Sequence, residues 1–281
     1  MLIEHRDGFI PTFDGLKLYE QSWIPEGERR GLLLFVHGYG EHCDRYRYIA
    51  EHFVSQRWVI FTYDHRGHGR SGGIRAHISD FNHYLEDLAL MLRRANDINR
   101  GEPIFLVGHS MGGLVAALFA AFRQTEQLKG LVLSSPMFKL AVEVPKWKEK
   151  LGKFMSNLYP SLALDNGIDP RWLSHDETVV MRYERDPLVN TVATARWFTS
   201  AIKAMQKIRT GARNIKLPTL IMQGGADKLV DPSGAKEVFE MIGAPDKKLR
   251  ILDNYYHEIF NEVGRLQIYE ELETWLEEHN R

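Results

Sequence analysis

Five residues constrain this chain more than any others: Gly108-His109-Ser110-Met111-Gly112 follows directly on the apolar run 104–108 (IFLVG) and leads directly into an apolar helical stretch, LVAALFAAF. A serine on so sharp a strand-to-helix turn must take up a strained backbone conformation. Glycines two before and two after it remove the side chains that would clash there. The hydroxyl then projects above the sheet, and the helix that starts beside it offers unpaired N–H groups to any negative charge developing nearby. The turn therefore predicts a nucleophile, Ser110, in a strand–turn–helix unit of an α/β protein.

The rest of the chain is patterned to match. Short apolar runs rich in β-branched residues alternate with longer amphipathic stretches, as parallel strands joined by crossover helices do. Residues 31–37, 58–63, 104–108, 131–134, 219–223 and 249–252 read as strands buried on both faces, and residues 9–23, with a turn at Asp14-Gly15, as an antiparallel hairpin at the sheet edge. Helical spacing covers 80–98, 112–122 and 258–279; in the last, Ile259, Val263, Leu266, Tyr269, Leu272 and Leu276 fall on one stripe. Between Leu133 and Thr219 the alternation lapses for about eighty residues, too long for an ordinary connection. This predicts a core of residues 1–136 and 211–281 with an inserted, mainly helical cap over 137–210. Met137, Trp147, Leu151, Met155, Trp172 and Trp197 give the cap more apolar bulk than a solvated loop carries. Most of it reads as packing and the remainder as a ligand-facing wall.

Composition narrows the function classes. Lys plus Arg total 36 against 37 for Asp plus Glu, so no basic field attracts phosphates and no nucleic-acid partner is expected. A single cysteine, Cys43, excludes an internal disulfide framework and a multi-cysteine zinc site. Glu4, Arg6 and Asp7 interrupt the apolar run a signal peptide needs, and no stretch reaches the roughly 18 apolar residues of a membrane span. A cytoplasmic location is the expectation. His65 and His68, in DHRGHGRS, invite a metal reading. No carboxylate-rich or cysteine-rich segment stands at ligand spacing, so the stretch reads as a turn of hydrogen-bonded polar groups. Neither metal nor cofactor is expected.

His37-Gly38-Tyr39-Gly40 follows the first long strand, where a second backbone donor to an oxyanion would stand. The donors read as the N–H groups of Met111 and Tyr39, with a plain glycine turn as the competing reading. An acid and then a histidine must follow the serine in chain order. Asp227, in the loop after 219–223, fits the acid best, with Asp231 and Asp253 as alternatives. Of the twelve histidines, only His257 follows the last strand and precedes the closing helix, which makes it the candidate general base.

With these residues in place the chain resembles the monoacylglycerol lipase and lysophospholipase group of α/β-hydrolases. HGYGEHCDRY (37–46), YDHRGHGRSGG (63–73), GHSMGG (108–113), RDPLV (185–189), QGGADKLVDPSGA (223–235) and YYHEIFNE (255–262) fall in that group's order and span nearly the whole chain. The resemblance implies the α/β-hydrolase fold, a triad of Ser110, Asp227 and His257, oxyanion donors at Tyr39 and Met111, and a cap that shapes an acyl tunnel. It implies cleavage of lipid carboxylic esters through an acyl-enzyme, and places Glu41, Arg45 and Tyr183 near the polar, glycerol end of the substrate. Two positions depart from the animal monoacylglycerol lipases. Tyr39 stands where they have a small residue, and Phe260 where they have a second histidine, which would remove a polar contact to the head group. A lysophospholipase or carboxylesterase with the same triad, and a non-catalytic ligand-binding protein on the same scaffold, are the competing readings. Transient docking of the apolar cap on membranes is a further expectation.

Overall fold

The apolar runs assemble into one sheet, in a computed structural model that describes residues 3–141 and 154–280; Trp147 and Leu151 lie outside the described residues. The strands are β1 (Ile3–Pro11), β2 (Lys17–Pro25), β3 (Gly31–Val36), β4 (Trp58–Tyr63), β5 (Ile104–His109), β6 (Leu128–Ser134), β7 (Ala163–Asp165), β8 (Val192–Thr194), β9 (Thr219–Gly224) and β10 (Lys247–Leu252). Eight form the main sheet in the order β1-β2-β4-β3-β5-β6-β9-β10, while β7 and β8 pair apart from it. From β4 to β10 every neighbouring pair is parallel, and β1 and β2 add an antiparallel hairpin at one edge. The helices are α1 (Arg47–Ser55), α2 (Asn82–Ile98), α3 (Met111–Phe122), α4 (Glu177–Arg185), α5 (Ala195–Gly211), α6 (Pro232–Met241) and α7 (Arg265–His279).

The strand period of two divides the core in half. Leu32, Leu34 and Val36 of β3 pack with α2 and α3, whereas Leu33 and Phe35 pack with α1 and α7. Helices thus cover both faces, as parallel sheets require. α4, α5 and the β7–β8 pair all belong to the long connection from β6 to β9, which is stitched onto the core. The Asn190 N–H donates to Gly40 O at 2.7 Å, Tyr39 Oη donates to Val192 O at 2.5 Å, and the Glu258 N–H donates to Leu173 O at 2.8 Å. No described helix is long and apolar enough to cross a membrane.

Two sequence expectations need correction. β10 is not buried on both faces: as the last strand its side chains alternate between half-buried and exposed from Lys247 to Ile251, and only Leu252 is buried. The closing helix begins at Arg265, not at 258: the Glu258 N–H donates to Leu173 O and residues 259–261 make a separate 3₁₀ turn. Val263, before the helix, and Leu266, in its first turn, are 70% and 62% exposed, and the buried face of α7 is Ile268, Tyr269, Leu272, Trp275 and Leu276.

The β5–α3 turn shows why its glycines are needed. A Cβ on Gly108 would lie 2.5 Å from Gly112 O, and one on Gly112 would lie 2.1 Å from Val36 O, in both cases against backbone that cannot yield. Gly112→Ala is expected to destabilise by about 1–3 kcal/mol, the usual range for overpacking, and to lower the thermal midpoint by several degrees. Gly8→Ala, where an added Cβ meets nothing within 4 Å, should leave the midpoint within about a degree. Equal melting of the two variants by circular dichroism would refute the packing argument.

Candidate active site

Ser110 sits between β5 and α3 with φ 52° and ψ −117°, a conformation that L residues rarely adopt. Its backbone is fixed from three sides: the N–H donates to Ser134 O at 3.0 Å, and the carbonyl accepts from Leu114 N at 3.1 Å and Met137 N at 2.9 Å. Its hydroxyl makes no protein hydrogen bond among the described residues and faces the cavity that His257 also lines. The N–H groups of Met111, at the start of α3, and of Tyr39, in the turn after β3, have no protein acceptor among the described residues. Gly38 lets that turn close on the serine, since a Cβ there would come within 3.0 Å of Ser110 Cβ.

His257 and Asp227 arrive on the loops after β10 and β9, neighbouring strands whose carboxyl ends share one edge of the sheet. His257 Nδ1 donates to Asp227 Oδ2 at 2.7 Å, which leaves Nε2 free to face the cavity. Asp227 is saturated as an acceptor: Oδ1 takes the Leu229 and Val230 N–H groups at 2.9 Å each, and Oδ2 also takes Gln223 Nε2 at 3.0 Å. The two alternative acids are elsewhere. Asp231 caps α6 through the Ser233 N–H at 2.8 Å, and Asp253 is exposed. Burial pushes the His257 pKa down, but the adjacent Asp227 charge and its hydrogen bond outweigh this and hold it above the ordinary imidazole value. Burial also opposes ionisation of Asp227, and the same partner reverses that, keeping the carboxylate charged. The neighbouring His109 ring, 4.8 Å from that of His257, has no carboxylate bond, and burial with the nearby imidazole brings its pKa down to about 3.

Beside this pair lies a buried ion cluster that the sequence resolves only in part. Arg45 Nη2 donates to both oxygens of Glu258 at 2.5 Å, and its Nε donates to Glu41 Oε2 at 3.2 Å. Glu41 Oε1 accepts from the Gly38 N–H at 2.6 Å and from Tyr46 Oη at 2.9 Å. Tyr183 covers the guanidinium, 4.8 Å from ring centre to Cζ. Of the three residues the resemblance puts at the polar end, Glu41 and Tyr183 line the cavity and Arg45 stands behind them. Glu258, immediately after the candidate base, was not singled out from the sequence. An acid at that position in a chain with Glu41 and Arg45 four residues apart is the signal that could have found it.

Phe260 also needs correction. It is 3% exposed and packs against Phe35 in the core, so it forms no part of the cavity wall and its identity removes no contact there. The DHRGHG stretch is a hydrogen-bonded turn. His37 Nδ1 donates to Gly38 O at 2.7 Å and His37 Nε2 accepts the His65 N–H at 2.8 Å, while Asp64 accepts the Cys43 and Arg70 N–H groups. No group of three His, Cys, Asp or Glu side chains among the described residues converges as metal ligands would.

The cavity above Ser110 has a volume of about 750 Å³, within the roughly 300–1,000 Å³ of small-molecule pockets. Met155, Trp172, Trp197, Phe198, Ile202 and Met205 make most of it apolar, and all six come from the long connection between β6 and β9. Trp197 packs on Tyr39 with ring centres 3.7 Å apart and planes tilted by 32°, so the tyrosine is both a wall and a bolt to Val192.

A strained serine at a strand–helix turn, two free N–H groups beside it and a carboxylate-bound imidazole opening into the same cavity define the class: a serine hydrolase of the α/β-hydrolase fold. The profile of the family described as serine aminopeptidase, S33, matches residues 27–264, and the chain belongs to that family. It is 29% identical over 266 residues to the monoacylglycerol lipase of Mycolicibacterium smegmatis, covering 94% of each chain. It is 32% identical to the Homo sapiens monoglyceride lipase, covering 94% of this chain and 88% of that one. The crystal structure of the Paleococcus ferrophilus monoacylglycerol lipase superposes with a TM-score of 0.81 at 30% identity, over 99% of this chain and 100% of the other.

Because a base must be neutral to accept a proton and the His257 pKa is raised by Asp227, the acid limb of kcat/KM should lie above the ordinary imidazole value. Asp227→Asn should move that limb to lower pH and reduce kcat by about 10⁴-fold. An unmoved limb in the variant would show that another group sets it.

Proposed function

We propose that this ester hydrolase cleaves monoacylglycerols to a fatty acid and glycerol. In this reading Ser110 Oγ attacks the ester carbonyl while His257 Nε2 takes its proton, and Asp227 holds the imidazole tautomer and stabilises the imidazolium. The Met111 and Tyr39 N–H groups receive the oxyanion, each worth about 2.7–4 kcal/mol by analogy with single donors removed elsewhere. His257 then returns the proton to the leaving glycerol. The resulting acyl-Ser110 is hydrolysed by water, activated by the same imidazole, which regenerates the free hydroxyl and releases the fatty acid. Apo hydrogen bonds of this kind are often unmade until substrate arrives, so the open Ser110 hydroxyl is compatible with the role.

The observation that carries the substrate class is a largely apolar cavity wall that also carries a few polar groups, Glu41 and Tyr183 among them. Residues 137–210 act as the cap that supplies the apolar wall, into which the acyl chain fits. Glu41 and Tyr183 at the polar end, backed by Arg45, suit the hydroxyls of a neutral glycerol. The guanidinium of that cluster has its Nε and Nη2 engaged by Glu41 and Glu258, so these donors are not offered to a phosphate-bearing head group. The similarity to enzymes named monoacylglycerol lipase supports the same substrate. On p-nitrophenyl esters, long-chain monoacylglycerols and lysophosphatidylcholine, the wild type should favour monoacylglycerol by at least about tenfold in kcat/KM, with Ser110→Ala reduced by several orders of magnitude. A preference for the phospholipid, or near-normal turnover by Ser110→Ala, would overturn the reading.

The cap also carries Phe154, Leu158, Tyr159 and Leu164, each more than half exposed. Such a strip suits transient contact with a lipid surface that delivers substrate. Wild-type protein should co-sediment with vesicles containing monoacylglycerol, and the double variant Phe154→Asp, Leu158→Asp should bind several-fold less. Equal sedimentation of the two would remove the cap from membrane contact.

A further inference from the structure

The buried ion cluster joins the two halves of the proposed machinery, and we infer that Arg45 is a positioning residue that holds the oxyanion turn and the general-base loop in register. The inference rests on the roles proposed above for Ser110, His257 and Tyr39. On one side Arg45 grips Glu258, the residue directly after His257, through both carboxylate oxygens at 2.5 Å. On the other it holds Glu41 at 3.2 Å, whose second oxygen takes the Gly38 N–H at 2.6 Å, directly before the Tyr39 donor. The turn after β3 and the loop after β10 come from opposite sides of β5, β6 and β9, with no strand pairing between them. One guanidinium bridges them.

Three features separate this role from head-group binding. The Arg45 side chain is 7% exposed, its Nε and Nη2 are engaged by carboxylates, and Tyr183 lies over its face. It is absent from the cavity wall that Glu41, Tyr183 and Glu258 line. The planar fork matters as well, since a lysine supplies a point charge and cannot keep the paired contacts. Glu258 is itself held at both ends, accepting Asn261 Nδ2 at 2.9 Å and donating its N–H to Leu173 O at 2.8 Å. The groups facing His257 are Asp227, His109, Glu258 and Glu41, with Arg45 behind the last two.

The experiment compares Arg45→Met, Arg45→Lys and Glu258→Gln on two substrates, a long-chain monoacylglycerol and p-nitrophenyl butyrate, which has no glycerol. A displaced base or donor slows both reactions alike. Arg45→Met should lower kcat by about 10²-fold on both esters with KM changed by less than about threefold, and Arg45→Lys should recover part of the loss. Glu258→Gln removes a negative charge facing His257 and should move the acid limb of p-nitrophenyl butyrate hydrolysis to lower pH, which a packing defect alone would not do. If Arg45→Met does not fold, the Lys and Gln variants carry both readouts. The inference fails if p-nitrophenyl butyrate turnover stays within about twofold of wild type while only the monoacylglycerol KM rises, or if the Glu258→Gln limb is unmoved. Ser110→Ala is run alongside: normal turnover there would mean that the proposed nucleophile is wrong, whereas an inactive Ser110→Ala beside an unimpaired Arg45→Met would sink the positioning role alone.

Discussion

The left-handed backbone of Ser110 is the constraint to which the rest of the site is referred. A non-glycine residue held there costs on the order of 1–3 kcal/mol and persists only where its surroundings over-determine it. Here they do. β5 is pinned between β3 and β6, α3 is buried from Met111 to Ala121, and the two glycines let the turn close against Val36 and against itself. This explains why α3 is apolar all round where a surface helix would show a stripe. The same closure brings the helix N-terminus and the turn after β3 up to Ser110, where the Met111 and Tyr39 N–H groups have no protein acceptor among the described residues.

Burial then sorts the titratable groups by their partners. His109 and His257 are adjacent imidazoles in the same buried setting, yet their affinities for a proton are driven apart because only His257 has a carboxylate on its Nδ1. Burial keeps one ring neutral down to about pH 3 while the carboxylate raises the other's affinity for a proton, a separation that fits the base role proposed for His257. Asp227 can stay charged at such a depth because four donors surround it. The cluster of Glu41, Arg45 and Glu258 pairs three ionisable groups with one another beside the cavity while leaving each nearly buried.

Much of this was legible in the sequence, and the divisions are physical. The G-x-S-x-G turn, the six apolar runs and the hairpin carry local signals, since backbone strain, period-two burial and turn chemistry act over a few neighbouring residues. The candidate base was found by elimination, because only His257 stands between the last strand and the closing helix. The misreadings arose where tertiary contacts compete with local pattern. Val263 and Leu266 continue the apolar spacing of α7, but Val263 precedes the helix and Leu266 sits on the exposed side of its first turn, and Phe260 reads as a pocket position until the core claims it. The pairing of Arg45 with Glu258 spans 213 residues of chain, and no local periodicity encodes a contact of that reach.

The central claim is that one serine, strained into the cavity wall, is the reacting nucleophile. Intact-mass measurement followed by peptide mapping after treatment with a long-chain alkyl fluorophosphonate tests it most directly. The account predicts a single adduct, located on the peptide containing Ser110 and formed far more slowly when His257 is replaced by alanine. An adduct on another residue, or none on a folded wild-type protein, would contradict it.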